Sequence, residues 1–333
     1  MIVPYSIFKK VIPSPVRTFL RDLDSAYHRL EREIDAKQRE SDAKQQSLEE
    51  IKSAYADLKS TCVNLESAYQ SLQTNYQEIT NLYKILGKSH RTILKYVHQN
   101  IEVITDKPIA YDSPDHVEPW GTKYDNSVNL NFNYKLAKWI SLENLTVLDL
   151  GCSGGGFVKS VIDMGCFAVG IEGSDYSKIR GRAEWSTIPG NLFTADITEP
   201  FQVVVTSKNF DNAQVKQPYQ FTVITAWEFI EHISTDKLGA VFQNITAHLR
   251  KNGVVIMSVS PNEDVVNGVN LHQTVQSKEW WLAECYRHGF VHHESVLSYF
   301  DRDFIRSEPN APNSFHLILT RINESLPLLN FDL

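Results

Sequence analysis

The sequence predicts an α/β protein with a doubly wound, mostly parallel sheet, preceded by a long α-helical coiled coil. Three observations carry this. Apolar runs alternate with helix-patterned stretches from about residue 141 onward, which implies a parallel sheet with right-handed crossovers. The first run, Thr146-Val-Leu-Asp-Leu150, opens into Gly151-Cys-Ser-Gly-Gly-Gly156. A heptad repeat fills residues 20–87.

The glycine-rich turn is the most informative element. A buried strand that ends in an acid and breaks into glycines lets a ligand approach the backbone, because no Cβ stands in the way. A second run, Phe167-Ala-Val-Gly-Ile171, ends in Glu172, twenty-one residues after Gly151. An acid at the tip of the second strand is where doubly wound folds hold a ribose diol. The turn lacks the Gly-x-Gly-x-x-Gly of a dinucleotide site. Further strands are expected near 192–196, at 221–226 and at 253–259. A helix over 277–288 and a closing antiparallel pair near 290–299 and 314–321, with no helix between its members, complete the pattern. A connecting helix is expected over 89–101.

The heptad repeat places Leu20, Tyr27, Ile34, Ser41, Leu48, Tyr55, Cys62, Tyr69, Tyr76 and Tyr83 at position a. Leu23, Leu30, Lys37, Lys44, Ile51, Leu58, Leu65, Leu72, Ile79 and Leu86 fall at d. A strict 3.5-residue period gives a left-handed supercoil. Ser14-Pro15 offers an N-cap and a first-turn proline, and Gly87 a stop. At 1.5 Å per residue such a helix is roughly 100 Å long, too long to bury its stripe on one small domain. Its expected partner is another copy of the chain, as dimer or trimer, or a dedicated subunit; the alternative is a long amphipathic helix folded back on its own domain. Lys37, Ser41 and Lys44 are the weakest part of the seam. Domain limits follow: residues 1–19, an N-terminal segment; 20–87, the coiled coil; 88–140, a linker helix and lid; 141–325, the α/β domain.

Composition agrees. The chain has 333 residues, suited to about two domains, and 42% hydrophobic content. A net charge of −7 argues against a broad grip on nucleic acid. Cys62, Cys152, Cys166 and Cys285 show neither disulfide nor metal spacing and read as reduced thiols of a cytoplasmic protein. No apolar run reaches a membrane span of about 18–20 residues. Pro4, Pro13, Pro15 and Lys9-Lys10 interrupt the N-terminus, unlike a signal peptide. The apolar residues and two lysines of Met1–Ile12 suit either contact with a membrane surface at the inner face, or local packing.

The wording Val147-Leu-Asp-Leu-Gly-Cys-x-x-Gly-Gly156 resembles the first motif of class I S-adenosylmethionine (SAM)-dependent methyltransferases, whose fold is a Rossmann-like, seven-stranded sheet. The resemblance extends over roughly residues 105–322. It includes Val169-Gly-Ile-Glu-Gly-Ser-Asp175, Leu192-Phe-Thr-Ala-Asp-Ile197, Phe221-Thr-Val-Ile-Thr-Ala-Trp-Glu-Phe-Ile-Glu-His232 and His248-Leu-Arg-Lys-Asn-Gly-Val-Val-Ile-Met-Ser258. Ser153 stands where the family more often has glycine. The resemblance implies that Asp149, Gly151, Ser153 and Gly155 line the methionine part of SAM. Glu172 then accepts from both ribose hydroxyls, and Gly173 and Ser174 lie under the ribose and adenine. Asp196 accepts from the adenine amine beside Ile197, and Trp227 covers part of the cofactor.

Glu228, Glu231 and His232 have i, i+3, i+4 spacing, which puts them on one face of a helix's first turn. With His272 they resemble the divalent-cation set (Mg²⁺, Mn²⁺ or Zn²⁺) of small-RNA 2′-O-methyltransferases, and less fully the ubiquinone-pathway enzymes. Without a metal, His232 acts as base or as a structural hydrogen-bond partner, with Glu228 beside it. Asp115, His116, Asp125 and Asn126 lie in a polar, turn-rich stretch that is either an acceptor-side lid or a plain connecting loop. That stretch, Leu271–Gln276 and Trp280-Trp281 resemble bacterial methyltransferases of glycan and polysaccharide clusters. The paired tryptophans suit stacking on a sugar face, or the core. The implied reaction is O-methylation of a sugar hydroxyl of a glycan, with the coiled coil arraying several heads or docking them on a membrane-associated glycan-assembly protein. The alternatives are a small-molecule or RNA 2′-O-methyltransferase, and a SAM-binding scaffold with little turnover.

Overall fold

The computed structural model describes residues 14–96, 100–208 and 214–327; most of the N-terminal segment lies outside the described residues. The chain divides into two units, Met1–Ile79 and Thr80–Leu333.

The helix α1 spans Ser14–Tyr96, 83 residues, and begins at the expected cap. Every side chain from Arg17 to Thr74 is exposed, the heptad seam included. The helix runs through Gly87, where the heptad pattern suggested a stop. A helical glycine costs about 1 kcal/mol relative to alanine and does not by itself end a helix. The separate connecting helix expected at 89–101 is thus the end of α1, and Asn100–Thr105 forms a strand, β1.

The second unit is built on a seven-stranded sheet. In chain order its members are β2 (Thr146–Leu150), β3 (Phe167–Glu172), β4 (Leu192–Thr194), β7 (Phe221–Trp227), β8 (Leu249–Val259), β11 (Phe290–His292) and β12 (Phe315–Arg321). Their spatial order is β11-β12-β8-β7-β2-β3-β4. β12 runs antiparallel to both neighbours, and the remaining pairs are parallel. The chain enters at β2, winds out through β3 and β4, then returns to β7 beside β2 and winds the other way. The switch point therefore lies between β2 and β7, whose carboxyl ends carry Gly151 and Glu228.

Parallel strands covered on both faces read as continuous apolar runs. Leu148 and Leu150 face one core layer and Val147 the other, and all are buried. The first layer is closed by α7 (Leu238–His248) and α8 (Lys278–Arg287), through Val241, Phe242, Ile245 and Trp281. The second is closed by α4 (Leu130–Ile140), α5 (Gly156–Asp163) and α9 (Glu294–Phe300). Short helices α2 (Pro114–Val117), α3 (Trp120–Tyr124) and α6 (Tyr176–Ile179) lie in the loops at the carboxyl edge. Residues 130–140 are thus core of this unit rather than linker.

Two further features depart from the sequence pattern. β5 (Phe201–Lys208) pairs antiparallel with β1 and with β6 (Gln214–Pro218) in a small second sheet. Phe201, Val203 and Val205 of this sheet join the first core layer. The closing strands are antiparallel as expected, but α9 lies between them and buries Val296 and Phe300 on one side.

Phe132 of α4 is fully buried, with ring centroids of Phe157, Trp227, Phe300 and Phe304 at 5.0–6.0 Å. Phe132→Ala is expected to cost about 3–5 kcal/mol of stability in the second unit, by loss of transfer energy and a residual cavity. Urea unfolding followed by tryptophan fluorescence reads this; a loss below about 1 kcal/mol would contradict the packing role.

Candidate active site

The loop after β2 is held from both sides. Gly151 has φ +73°, and a Cβ there would lie 2.6 Å from the Phe229 ring. Ser153 also takes a left-handed conformation, φ +46°, where glycine is the usual residue. Its hydroxyl explains its presence: it donates to the Asp125 carbonyl (3.0 Å) and accepts from the Arg182 guanidinium (3.0 Å). The Trp185 indole donates to the Ser153 carbonyl at 2.7 Å. Residues 110–129 therefore form a strap bolted across the loop. A Cβ on Gly154 would meet Asn126 Oδ1 at 2.5 Å, so this glycine makes room for the strap rather than for a ligand.

Beneath the strap lies a cavity with two lobes, of about 150 and 180 Å³. Asp115, Glu172, Phe229 and His232 line both. Gly173, Ser174, Asp196 and Ile197 line the first lobe, together with strap residues Ala110, Ser113 and His116. The second is lined by Trp120, Thr122, Asp125, Gly151, Ser153, Trp227, Glu228, Asp264, His272 and Arg306. The sequence-derived cofactor residues thus converge, with two exceptions. Asp149 lies behind the loop, 2% exposed, where its Oδ1 accepts from the Thr225 hydroxyl (2.6 Å). Burial, against the Thr225 hydrogen bond and helped by Asp125 and Glu172, pushes its pKa up to about 8. Gly155 also lines neither lobe; the side chain of Leu192 covers it.

Glu172 sits where the lobes meet. Its Oε2 accepts from the Ser153 amide (2.7 Å) and its Oε1 from the Ser174 amide (3.2 Å). Burial raises its pKa, and the backbone amides oppose that rise. An ionised carboxylate offers about four acceptor sites. The Thr122 hydroxyl also lies 3.5 Å from Oε1, and the acceptor capacity left over suits a ribose hydroxyl. Asp196 Oδ1 accepts from Thr198 amide and hydroxyl (2.9 and 2.6 Å). The Trp227 indole N–H is buried without a protein partner in the wall of the second lobe. An orphaned buried donor is costly and marks a place for a ligand acceptor.

The segment after β7 is not an α-helix. Glu228 has φ +47°, a strained turn of the kind that clusters at functional sites, and Ile230–His232 is a single 3-10 turn; α7 begins only at Leu238. The i, i+3, i+4 face expected for Glu228, Glu231 and His232 does not form. Glu228 pairs with Arg306 (3.1 Å) and accepts from the Ser314 hydroxyl. Glu231 is fully buried and accepts from the Ser260 amide (2.7 Å), with its pKa pushed by burial to about 7. His272 Nδ1 lies 2.5 Å from the Asn262 carbonyl. Glu228, His232 and His272 each meet another partner through one atom, whereas Glu231 Oε2 is buried without a hydrogen bond; among the described residues no group of three or more His, Cys, Asp or Glu is arranged to hold an ion. Trp281 is fully buried core and Trp280 packs against that core, so neither reaches the cavity. Arg306, Asp264 and Trp120 line it instead, and no local spacing in the sequence singles them out.

His232 and His272 have opposite protonation. Burial works against a charge on His232, but Asp115 at 2.7 Å, with Glu231 and Asp264, outweighs it and raises the pKa to about 9. The His272 ring stands edge-on to it, centroids 4.5 Å apart. Burial and the neighbouring His232 charge lower its pKa, against the Asn262 hydrogen bond. Near neutral pH, His232 is a cation and His272 is neutral. The Asn262 carbonyl takes the Nδ1 proton, which leaves Nε2 of His272 with the lone pair.

A seven-stranded sheet wound both ways from a central glycine loop, with an acid at the second strand tip and a cavity at the switch point, defines the class I SAM-dependent methyltransferase fold. The family model described as "Methyltransferase domain" matches residues 124–307, more than half of the chain, and the chain belongs to that family. It is a SAM-dependent methyltransferase. Among solved structures, the chain is similar to magnesium protoporphyrin IX methyltransferase from Synechocystis PCC 6803, solved with bound SAH (15% identity, 64% of this chain and 97% of that chain, TM-score 0.38). It is also similar to the glycopeptide N-methyltransferase MtfA (11%, 60% and 95%, 0.37) and to the CcbJ methyltransferase from Streptomyces caelestis (11%, 65% and 97%, 0.40). No curated protein matches the chain in sequence. Among the described residues no helix is long and apolar enough to cross a membrane.

The Asp115–His232 pair makes stability depend on pH. The folded pKa of His232 lies above its unfolded value of about 6.5. Its stabilisation is therefore fully present below pH 6.5 and lost as pH rises through about 9. Asp115→Asn is expected to lower the melting temperature at pH 6–7 and to remove much of the decline between pH 7 and 10. Thermal scans of both proteins across that range test this; parallel curves would contradict it.

Proposed function

We propose that the protein methylates a hydroxyl of a sugar-containing acceptor, in the second lobe, next to His232 and His272. One observation carries the reading. The second lobe combines a wall of hydrogen-bonding side chains (Asp115, Asp264, His232, His272) with Trp120, whose ring is 50% exposed at the cavity. Trp120 meets Tyr124 edge to face, centroids 4.7 Å apart, and Tyr124 is 59% exposed. A polyhydroxyl ring has both a face that stacks on an aromatic and an edge rich in donors and acceptors. The stacking role first given to Trp280-Trp281 passes to Trp120.

SAM supplies a methyl group activated on a sulfonium. The chain's own residues then have three tasks. Glu172 grips the ribose end and so fixes where the methyl can lie. Asp115 holds His232 as a cation through Nδ1, which leaves Nε2–H as the donor to an acceptor oxygen. His272 Nε2 would take the hydroxyl proton as the C–O bond forms and the methyl carbon's bond to sulfur breaks, the electron pair leaving with the thioether. The base role considered for His232 therefore moves to its neighbour, because an imidazolium has no lone pair to accept with. No step of this scheme is routed through a metal ion.

The test is transfer of labelled methyl from SAM into a glycan extract of the source cell. Label is expected in sugar and is expected to survive chelator. Trp120→Ala should raise the acceptor KM about tenfold, the equivalent of about 1.4 kcal/mol of stacking, with SAM affinity unchanged. His272→Asn should lower kcat by about 100-fold, the smaller end of general-base contributions, with little change in SAM affinity. No label in glycan from protein that binds SAM would sink the acceptor class and bring forward the small-molecule, RNA and scaffold readings.

A further inference from the structure

We propose that residues 20–72 of α1 form a parallel, in-register, two-stranded coiled coil with a second copy of this chain. The observation behind it is an exposed seam that is complementary to itself in the parallel, in-register alignment.

The large apolar seam residues between Leu20 and Leu72 are each 46–69% exposed. Over this span the seam has eight a and eight d positions. With the flanking e and g residues, that reaches the roughly 20–30 residues a side of a stable interface. Nothing among the described residues covers them, since every side chain from Arg17 to Thr74 is exposed.

Three features choose the partner and its direction. The first is the polar break at Lys37, Ser41 and Lys44. Parallel in-register pairing sets this break against itself. Reversing one strand about the middle of residues 20–72 sets 37–44 against 48–55, and so buries the two lysines against Leu48, Ile51 and Tyr55. In the parallel arrangement Lys44 stays neutralised by Glu40 of its own chain, one turn back at 2.7 Å, with its head toward water. Polar residues in a seam fix register at some cost in stability.

The second is a triplet, Ser-Ala-Tyr, at residues 25–27, 53–55 and 67–69. Its copies are 28 and 14 residues apart, whole numbers of heptads. Each puts tyrosine at a directly after alanine at g. In a parallel pair, the a knob packs beside the g residue that precedes its counterpart on the facing helix. Ala26, Ala54 and Ala68 thus leave space for the partner's tyrosine rings. Two strands also let each ring run out to the rim, where its hydroxyl reaches water. A third strand would enclose the hydroxyls in the seam, where an unpaired polar group is costly.

The third is charge. A parallel pair brings g of one chain against e of the next heptad of the other. The couples are Ala26 with Glu31, Glu33 with Gln38, Glu40 with Gln45, Ser47 with Lys52, Ala54 with Lys59 and Thr61 with Glu66. None opposes like charges.

Cys62 occupies an a position and is exposed, whereas Cys152, Cys166 and Cys285 are buried. In the proposed alignment Cys62 faces its own copy across the seam, within disulfide reach. In the reversed alignment it faces residue 30. The experiment uses the full chain at micromolar concentration. Sedimentation equilibrium is expected to give two copies, for the native chain and for Cys62→Ser alike. Mild oxidation with diamide is expected to give a covalent dimer on a non-reducing gel, absent in Cys62→Ser. Ile51→Asp with Leu58→Asp should shift the mass to one copy while SAM binding, a readout of the catalytic unit, is retained. A native mass of one or three copies overturns the proposal. A mass of two without the cross-link overturns the parallel register.

Discussion

The buried carboxylate of Glu172 connects three separate pieces of chain, and the cavity takes its shape from that connection. It belongs to the end of β3. Its two oxygens take the amide of Ser153 in the glycine loop and the amide of Ser174 in the following turn. The Thr122 hydroxyl lies at 3.5 Å, the outer limit of a bond. Hydrogen bonds to an ionised acceptor are about twice as strong as neutral ones, and burial removes the competition of water. Ser153 in turn bolts the strap through Asp125 and Arg182. One side chain therefore sets both the distance between adjacent strand tips and the position of the lid. The left-handed conformation at Ser153 is tolerated because its amide, carbonyl and hydroxyl all have partners that a glycine could only partly supply.

The carboxylates around the cavity are organised by the cations they face. Asp115 takes His232, while Asp125 and Glu228 share Arg306 at 3.3 and 3.1 Å. Arg306 comes from the loop after α9, so the far end of the chain neutralises acids from the strap and from the end of β7. Pairing fixes their positions around the cavity. Burial, joined by the charge on His232, lowers the pKa of its neighbour His272, so two imidazoles 4.5 Å apart acquire different tasks from their surroundings alone.

The seven main strands were legible because burial on both faces leaves little room for polar residues. Val147-Leu-Asp-Leu150 and Val223-Ile-Thr-Ala226 announce themselves on that ground. The acid at the second strand tip was legible for a related reason, since a charge at the end of an apolar run has to be used. The small sheet was not, because β1 pairs with β5 across about a hundred residues, Asn100 against Thr206, and no local pattern encodes that register. α9 did carry a signal, Val296 and Phe300 at i and i+4, which the β-rich look of its surroundings hid. At the site, the spacing of Glu228, Glu231 and His232 suggested a shared helix face. The positive φ at Glu228 and the burial of Glu231 under Ser260 separate them instead. Donor types can be read from sequence, whereas their partners, Arg306, Ser260 and Asn262, arrive from other elements.

The two units are stabilised by different physics. The catalytic unit has two apolar layers, one on each face of its sheet, and a fully buried Trp281 and Phe132 within them. In α1, by contrast, no described side chain from Arg17 to Thr74 is buried. What that stretch has of its own are pairs such as Lys44–Glu40 and Lys52–Glu49, at 2.7 and 2.8 Å and exposed. Such pairs contribute about 0.3–0.5 kcal/mol each. Ser, Thr, Asn and Tyr, frequent along the helix, oppose it by intrinsic propensity. A run of Leu, Ile and Tyr at strict 3-4 spacing has no use on a solvated rod, and exposing it in water is unfavourable by roughly 25 cal/mol for each Å² left uncovered. In the proposed coiled coil, the stabilisation of α1 lies in what its seam packs against, not in the helix itself.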